Sequence, residues 1–186
     1  MDAMTWPERH PELSDGAIRL RPFVPADAPW VHDAGQDPEI QRWTRVPVPY
    51  TPADAEAFVG SFAPQQWRDR IGWHCAVVDV DGTSLGASAL VVTDAEAAVA
   101  EAGYWIAPAH RGRGAATAAL RLLTDWGFDA LGLRRIELHV DPRNLASIAV
   151  GGRVGFTSEG VLRQRTRRLG EQRDVQMLAK VVAPGE

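Results

Sequence analysis

Apolar positions along this chain change their period several times, and each change marks an element. Over residues 17–23, Ile18 and Leu20 alternate with Arg19 and Arg21, the period-two pattern of a half-buried strand. Residues 1–16 are polar and proline-bearing and are expected to drape over the surface. A helix is expected to start near Asp27. Thr51-Pro52-Ala53-Asp54 places an N-cap residue, a first-turn proline and an acid at the positive end of a helix, which predicts a second helix running toward Trp67. Apolar runs over 73–80 and 85–92, separated by Asp81-Gly82-Thr83-Ser84, read as an antiparallel hairpin, with 98–106 as the next strand. From 114 to 131, Ala115, Ala119, Leu122, Leu123 and Trp126 recur at helical spacing until Gly132 stops them. A strand over 134–140, a helix over 144–154 and two strands near 156–165 and 174–181 complete the pattern. Strands gathered first, followed by two strand–helix units, predict an α/β domain around a mixed sheet.

Composition narrows the class. At 186 residues with 45% hydrophobic content, the chain is long enough for one domain over 1–186 with a full core. A lone cysteine, Cys75, excludes an internal disulfide framework, and no charged segment precedes an apolar one at the start, so the cytoplasm is expected. Asp94, Glu96 and Glu101 break the most apolar region well short of the roughly 20 residues of a membrane span, so no membrane partner is expected. The net charge of −4 argues against a DNA or general nucleic-acid binder, yet it hides an asymmetry. Residues 1–100 hold 7 basic and 15 acidic side chains, whereas 101–186 hold 13 and 9. That division suits an anionic ligand on the second half and a cationic one on the first, although chance surface composition explains it equally well. The five histidines show no metal-ligand spacing, so no metal site is expected.

The most informative stretch is Tyr104-Trp105-Ile106-Ala107-Pro108-Ala109-His110-Arg111-Gly112-Arg113-Gly114-Ala115-Ala116-Thr117, which leaves an apolar strand through a glycine-rich turn and enters a helix. Glycines permit close backbone approach, and the unpaired N–H groups of a first helical turn favour an anion. Backbone amides of Arg111, Gly112, Arg113, Gly114, Ala115 and Ala116, with the Thr117 hydroxyl, are expected to cradle a pyrophosphate, and the two arginines to add mobile charge. A P-loop requires a lysine after its last glycine, but the only lysine here is Lys180. A dinucleotide fingerprint requires three spaced glycines, and Gly112, Gly114 and Thr117 supply two.

Arg111-x-x-Gly114-x-Ala116, placed between a strand carrying Glu101 and an alanine-rich helix, resembles the GNAT superfamily of acyl-CoA acyltransferases. Asn144-Leu145-Ala146-Ser147, Arg153-Val154-Gly155-Phe156, Glu159-Gly160-Val161-Leu162-Arg163 and the opening Ile18-Arg19-Leu20-Arg21-Pro22 with Asp27 extend the resemblance over nearly the whole chain. Gly103-Tyr104-Trp105-Ile106 with upstream Glu101 is most similar to the Rim-type branch of ribosomal-protein N-terminal acetyltransferases. The resemblance implies a GNAT fold: a mixed, mostly antiparallel seven-stranded sheet with helices on both faces, whose two central parallel strands, those of Tyr104 and Leu138, splay apart to admit the pantetheine arm. It further implies acetyl-CoA as acyl donor, no metal, direct attack by a primary amine in a ternary complex, and a homodimer as an accessible assembly.

Acyl transfer to an amine needs a neutral nucleophile, a stabilised oxyanion and a proton for the departing thiolate. An α-amine with a pKa near 8 is about a tenth neutral at pH 7, against about 0.04% for a lysine, so a protein N-terminus needs less help. Family position implies Glu101 as base, Ser147 beside the thioester sulfur, Asn144 on the pantetheine arm, and a backbone N–H of Ile106 or Ala107 at the oxyanion. Each has a plainer explanation: a solvated carboxylate, a first-turn serine, an N-cap asparagine. The second helix carries Ile148-Ala149-Val150-Gly151-Gly152 where many relatives place an acid tyrosine, so the source of the thiolate's proton stays open. The acceptor is expected to be a protein N-terminal α-amine. A small-molecule amine (aminoglycoside, polyamine or amino acid), an inactive coenzyme-A-binding module, and a ribosome-associated adaptor using Arg163, Arg165, Arg167 and Arg168 are the alternatives.

Overall fold

A computed structural model describes residues 5–182. Its eight strands are β1 (Leu13–Ser14), β2 (Ile18–Pro22), β3 (Gly72–Asp79), β4 (Ser84–Asp94), β5 (Val99–Ile106), β6 (Arg135–Val140), β7 (Thr157–Arg168) and β8 (Glu171–Val181). They form one sheet in the order β1-β2-β3-β4-β5-β6-β8-β7, antiparallel throughout except at β5–β6. Helices α1 (Ala28–Gly35), α2 (Pro38–Trp43), α3 (Pro52–Ala57) and α4 (Ala63–Arg68) precede the β3–β4 hairpin, and α5 (Ala115–Asp129) and α6 (Leu145–Val154) follow β5 and β6. The arrangement is the one the resemblance implies, a mostly antiparallel α/β sheet with one parallel pair and helices on both faces.

Strand alternation builds two cores, because successive side chains point to opposite faces. Cys75, Val77, Leu90, Ala102, Ile136 and Leu138 pack against Leu120, Leu123 and Trp126 of α5, while Ala76, Val78 and Ala87 pack against Val31 of α1, Ala55 of α3 and Val59. Asp27 is buried at the junction of β2 and α1. Its carboxylate accepts from the Arg21 guanidinium at 2.7 and 2.8 Å, from the Val24 amide at 2.8 Å and from the Trp30 indole at 2.8 Å. Burial pushes this carboxyl up, but those bonds outweigh it and hold it below the ordinary carboxylate value.

The sheet departs from the expected pattern at three places. The eighth strand is the two-residue β1, and the segment ahead of it does more than drape: the Trp6 ring lies 5.0 Å from Trp67 and 6.2 Å from Trp126. Isolated apolar residues among prolines show no period, so the pattern did not reveal them; residues 1–4 lie outside the described part. Helix α2 was not anticipated because six residues are too short to show a helical repeat. Its Asp37 cap, accepting from the Ile40 amide at 2.9 Å, followed by Pro38, is the local signal. The β7–β8 hairpin is longer than expected, turning at Leu169 and Gly170 with positive φ and absorbing irregular register at Ser158/Gly160 and Leu162/Thr166.

The feature that positions the site is the parting of β5 and β6. They pair only at Val99–Arg135, Ala100–Ile136 and Glu101–Glu137, after which β5 continues to Ile106 on β4 alone and β6 to Val140 on β8 alone. The Ala107 amide donates to the Leu85 carbonyl at 2.9 Å, and antiparallel bonding alternates along the strand. The backbone groups of Trp105, Gly103 and Glu101 therefore face β4, and those of Ile106, Tyr104 and Ala102 face the gap.

Candidate active site

The turn after β5 takes its shape from two glycines. Gly112 (φ 73°) and Gly114 (φ 86°) are left-handed, and a Cβ on either would meet nothing within 4 Å, so open space lies beside backbone that other residues rarely adopt. Gly114 is the N-cap of α5 and offers no side chain, which leaves the first amides of the helix uncapped and facing outward. The turn and the start of α5 line a cleft of about 710 Å³ closed on its far side by α6. Arg111, Gly112, Gly114, Ala115, Ala116 and Thr117 are on its lining.

Two arginines behave differently from expectation. Arg111 is not mobile: its Nε donates to the Ile106 carbonyl at 2.9 Å and its Nη2 to Asp37, which ties the turn to α2. Arg113 is exposed and off the cleft lining. Besides Arg111, the lining of this cleft carries Arg121, Arg153 and the His110 ring. Arg121 lies one helical turn after Thr117, and that i, i+4 spacing was the available signal.

On the other side of the gap is a second cleft, of about 740 Å³. Glu101, Gly103 and Trp105 of β5 share its lining with Ala87, Ala89 and Val91 of β4, His74 of β3, His139 of β6, and Arg45, Tyr50, Phe58 and Phe62 from the helical face. The two clefts share Tyr104, Trp105, Asn144 and Ser147, with Ile40, Trp43 and Thr44 of the α2 region, so they meet where the strands part.

Polar groups cluster at that junction. Glu101 receives Arg45 Nη2 at 3.2 Å and lies 3.4 Å from His139 Nδ1, and His139 Nε2 is 2.9 Å from Glu137. Arg135 in turn holds Glu137 at 2.6 Å. Burial pushes the Glu137 carboxyl up, while Arg135 and His139 pull it further down, leaving it below the ordinary value. Asn144 caps α6, its Oδ1 accepting from the Ser147 amide at 3.1 Å, and its side chain lies on the lining of both clefts. Ser147 Oγ is 2.8 Å from the Tyr104 hydroxyl. Burial raises the Tyr104 phenol, partly offset by the bond to Ser147, so it stays protonated. Sequence reasoning looked for this hydroxyl on α6; the chain supplies one from the opposite strand. Of the two amides expected at the oxyanion, Ala107 is engaged with Leu85 and Ile106 faces the gap.

These features fit acetyl-CoA: an uncapped helix start behind two left-handed glycines for the diphosphate, facing cations for further phosphate, and a parted sheet for the arm. A match to the acetyltransferase (GNAT) domain family spans residues 17–157, and the chain belongs to that family. It is an acyl-CoA-dependent acetyltransferase with acetyl-CoA as cosubstrate. Spermidine N(1)-acetyltransferase of Escherichia coli K12 is 29% identical over 181 residues, covering 91% of this chain and 93% of that one. The Bacillus subtilis protein named "Probable N-acetyltransferase YjcK" is 44% identical over 77 residues, only 41% of this chain and 42% of that protein. Among solved structures, Mycobacterium smegmatis RimJ in complex with CoA-disulfide superimposes with a TM-score of 0.81 at 29% identity, covering 91% of this chain and 84% of that one. Structural relatives thus span Rim-type and spermidine branches. No helix among the described residues is long and apolar enough to cross a membrane.

Proposed function

We propose that the chain acetylates the α-amine of a protein N-terminus, in the manner of the Rim-type branch. The observation that carries this reading is the meeting of two clefts at Tyr104 and Ser147, one lined by the amides of the glycine turn and by arginines and the other carrying Glu101 close to the junction. Glu101 takes the proton of the incoming ammonium, directly or through water, and His139 behind it leads toward Glu137. The Ile106 amide faces the carbonyl oxygen as negative charge develops there. Ser147 donates a hydrogen bond to the departing thiolate, and the Tyr104 hydroxyl donates in turn to Ser147 Oγ, both keeping their protons. Asn144 holds the arm in the gap, and Arg111, through Asp37, fixes the turn that receives the diphosphate.

A second reading, acetylation of a polyamine, draws on the likeness to the Escherichia coli spermidine enzyme. Thiol release from acetyl-CoA with a panel of peptides and polyamines decides. Turnover on peptides with unblocked N-termini, lost when the terminus is formylated, supports the first reading. Turnover on spermidine alone supports the second, and tight coenzyme binding without turnover on any amine leaves a binding module.

A further inference from the structure

The floor of the acceptor cleft is unusually bare along one line. Strand register sets three rows across β3, β4 and β5: Gly72–Val91–Glu101, His74–Ala89–Gly103 and Ala76–Ala87–Trp105. The middle row offers a methyl at Ala89 and only backbone at Gly103. Gly103 does not have positive φ, and a Cβ there would meet nothing within 4 Å, so neither conformation nor packing asks for glycine. The open space beside Gly103 leaves room for a ligand to approach the strand closely, one of the roles of glycine inside a strand. The result is a trough, walled by Val91 and Glu101 on one side and by Trp105 on the other, running about 10 Å across two strand spacings from the gap toward His74.

The far end of this trough is aromatic. Helix α3 reaches α4 through a π-helical turn, Phe58–Phe62, a distortion that recurs at functional sites. It presents Phe58 and Phe62 together, their rings 5.9 Å apart and both edge-on to His74, at 5.8 and 5.1 Å. Phe62, although in contact with both Phe58 and His74, is left 48% exposed. The His74 imidazole is held neutral by burial and adds no cation.

The same lining speaks against a polycation. Among the described residues, its carboxylates are Glu101, Asp54 and Asp141. Asp54 is engaged by the Thr51 amide and hydroxyl at 2.9 and 2.6 Å, and Asp141 by Arg143 at 2.7 Å with Arg173 at 3.9 Å. Only Glu101 stands over the trough, with Arg45 beside it, its side chain 83% exposed. Of the three carboxylates, Glu101 alone lies in the strand rows that form the trough, which favours an acceptor with one ammonium there.

Resting on the acetyl-transfer reading above, we propose that the acceptor is an α-amine whose own carbon bears a large apolar, aromatic side chain, the amine at Glu101 and the side chain lying along Gly103 and Ala89 against Phe58 and Phe62. A peptide N-terminus and a free amino acid share this chemistry, and the test includes both.

The experiment is a kcat/KM series by thiol release from acetyl-CoA, using tripeptides with Phe, Trp, Leu, Ala or Ser in the first position, free phenylalanine, and spermidine. Phe- and Trp-first peptides are expected to exceed Ala- and Ser-first ones by about 10- to 100-fold, the range open to an apolar pocket, with spermidine below both. Free phenylalanine matching the Phe-first peptide would identify the source as an amino acid; a peptide advantage identifies an N-terminus. In Phe62→Ala, and separately in Ala89→Leu, which fills the trough, the Phe/Ala ratio should fall toward unity. Calorimetric binding of coenzyme A verifies that each variant is folded. Preference for Ala- or Ser-first peptides or for spermidine, or a Phe/Ala ratio that neither substitution moves, overturns the trough assignment while acetyl transfer stands. No thiol release with any amine overturns acetyl transfer itself, and this inference with it.

Discussion

The two clefts that meet at Tyr104 and Ser147 are of similar volume and opposite construction. The coenzyme side is written in backbone: two left-handed glycines, an uncapped helix start and the bare edge of β5, all within a dozen residues of each other. The acceptor side is written in side chains drawn from β3, β4, β5, β6, α3 and the loop around Arg45. A site made of amides tolerates nothing bulkier than its small residues but makes few demands on side-chain identity. A site made of side chains is specific, and depends on long-range contacts to hold its walls. Arg168 illustrates this: from the β7–β8 hairpin it donates to the Gln41 and Val46 carbonyls, the latter at 2.7 Å, and so braces the loop carrying Arg45 across more than a hundred residues of sequence.

Breaking each side should give a different signature. The largest effect is expected from Glu101→Gln, which leaves the amine without a proton acceptor: kcat/KM should fall about 10²- to 10⁴-fold at pH 7 with coenzyme affinity little changed, and the loss should shrink as rising pH neutralises the amine unaided. Wild-type turnover at pH 7 would remove Glu101 from the base role.

His74 tests the acceptor wall through stability. Burial lowers its pKa from 6.5 to about 4, so the unfolded chain takes up a proton that the folded one refuses. Stability is therefore full above pH 6.5 and declines as pH falls from there toward 4, by about 3 kcal/mol at most. Urea unfolding of His74→Gln across this range should show a shallower decline; an equal slope would mean that His74 does not titrate in this way.

Next in size is the hydroxyl pair. Tyr104→Phe and Ser147→Ala should each lower kcat about tenfold, and the double substitution should cost far less than the product, since the two act as one unit. Independent, multiplicative losses would separate them. The smallest effect belongs to the brace: Arg168→Gln should raise the acceptor KM about three- to fivefold by loosening the Arg45 loop, leaving the KM for acetyl-CoA in place. A matching rise in both would point to a general loss of packing.

How much of this could be read from sequence follows the same division. Residues 104–117 announce the turn because its requirements are local: a strand end, a proline, glycines, a helix start. The strands were visible wherever one face is buried, and the helix from Thr51 through its cap. The short α2 and β1 were not, since six and two residues carry no measurable period. Glu101 and Ser147 were singled out as candidates by their place in a motif, but Tyr104 stood in the quoted motif without a role, because its partner is 43 residues away and only the parting of β5 and β6 brings the two hydroxyls together. His139 lies in phase with Glu137 on β6, a relation that strand alternation makes readable; that its other nitrogen faces Glu101 depends on the parallel register at Glu101–Glu137. The acceptor trough was illegible for the same reason, because Ala89 and Gly103 are ordinary small residues until register aligns them with His74.

The central claim is that coenzyme and acceptor occupy opposite sides of the parted strands, and the most direct measurement places one obstruction on each side. Calorimetric titration of coenzyme A into Gly114→Val and Gly103→Val should give at least a tenfold weaker Kd for the first, whose side chain invades the turn and cannot adopt its left-handed backbone, and a wild-type Kd with lost turnover for the second. Undiminished binding by Gly114→Val, or a coenzyme affinity lost in Gly103→Val, would contradict the assignment of the two clefts.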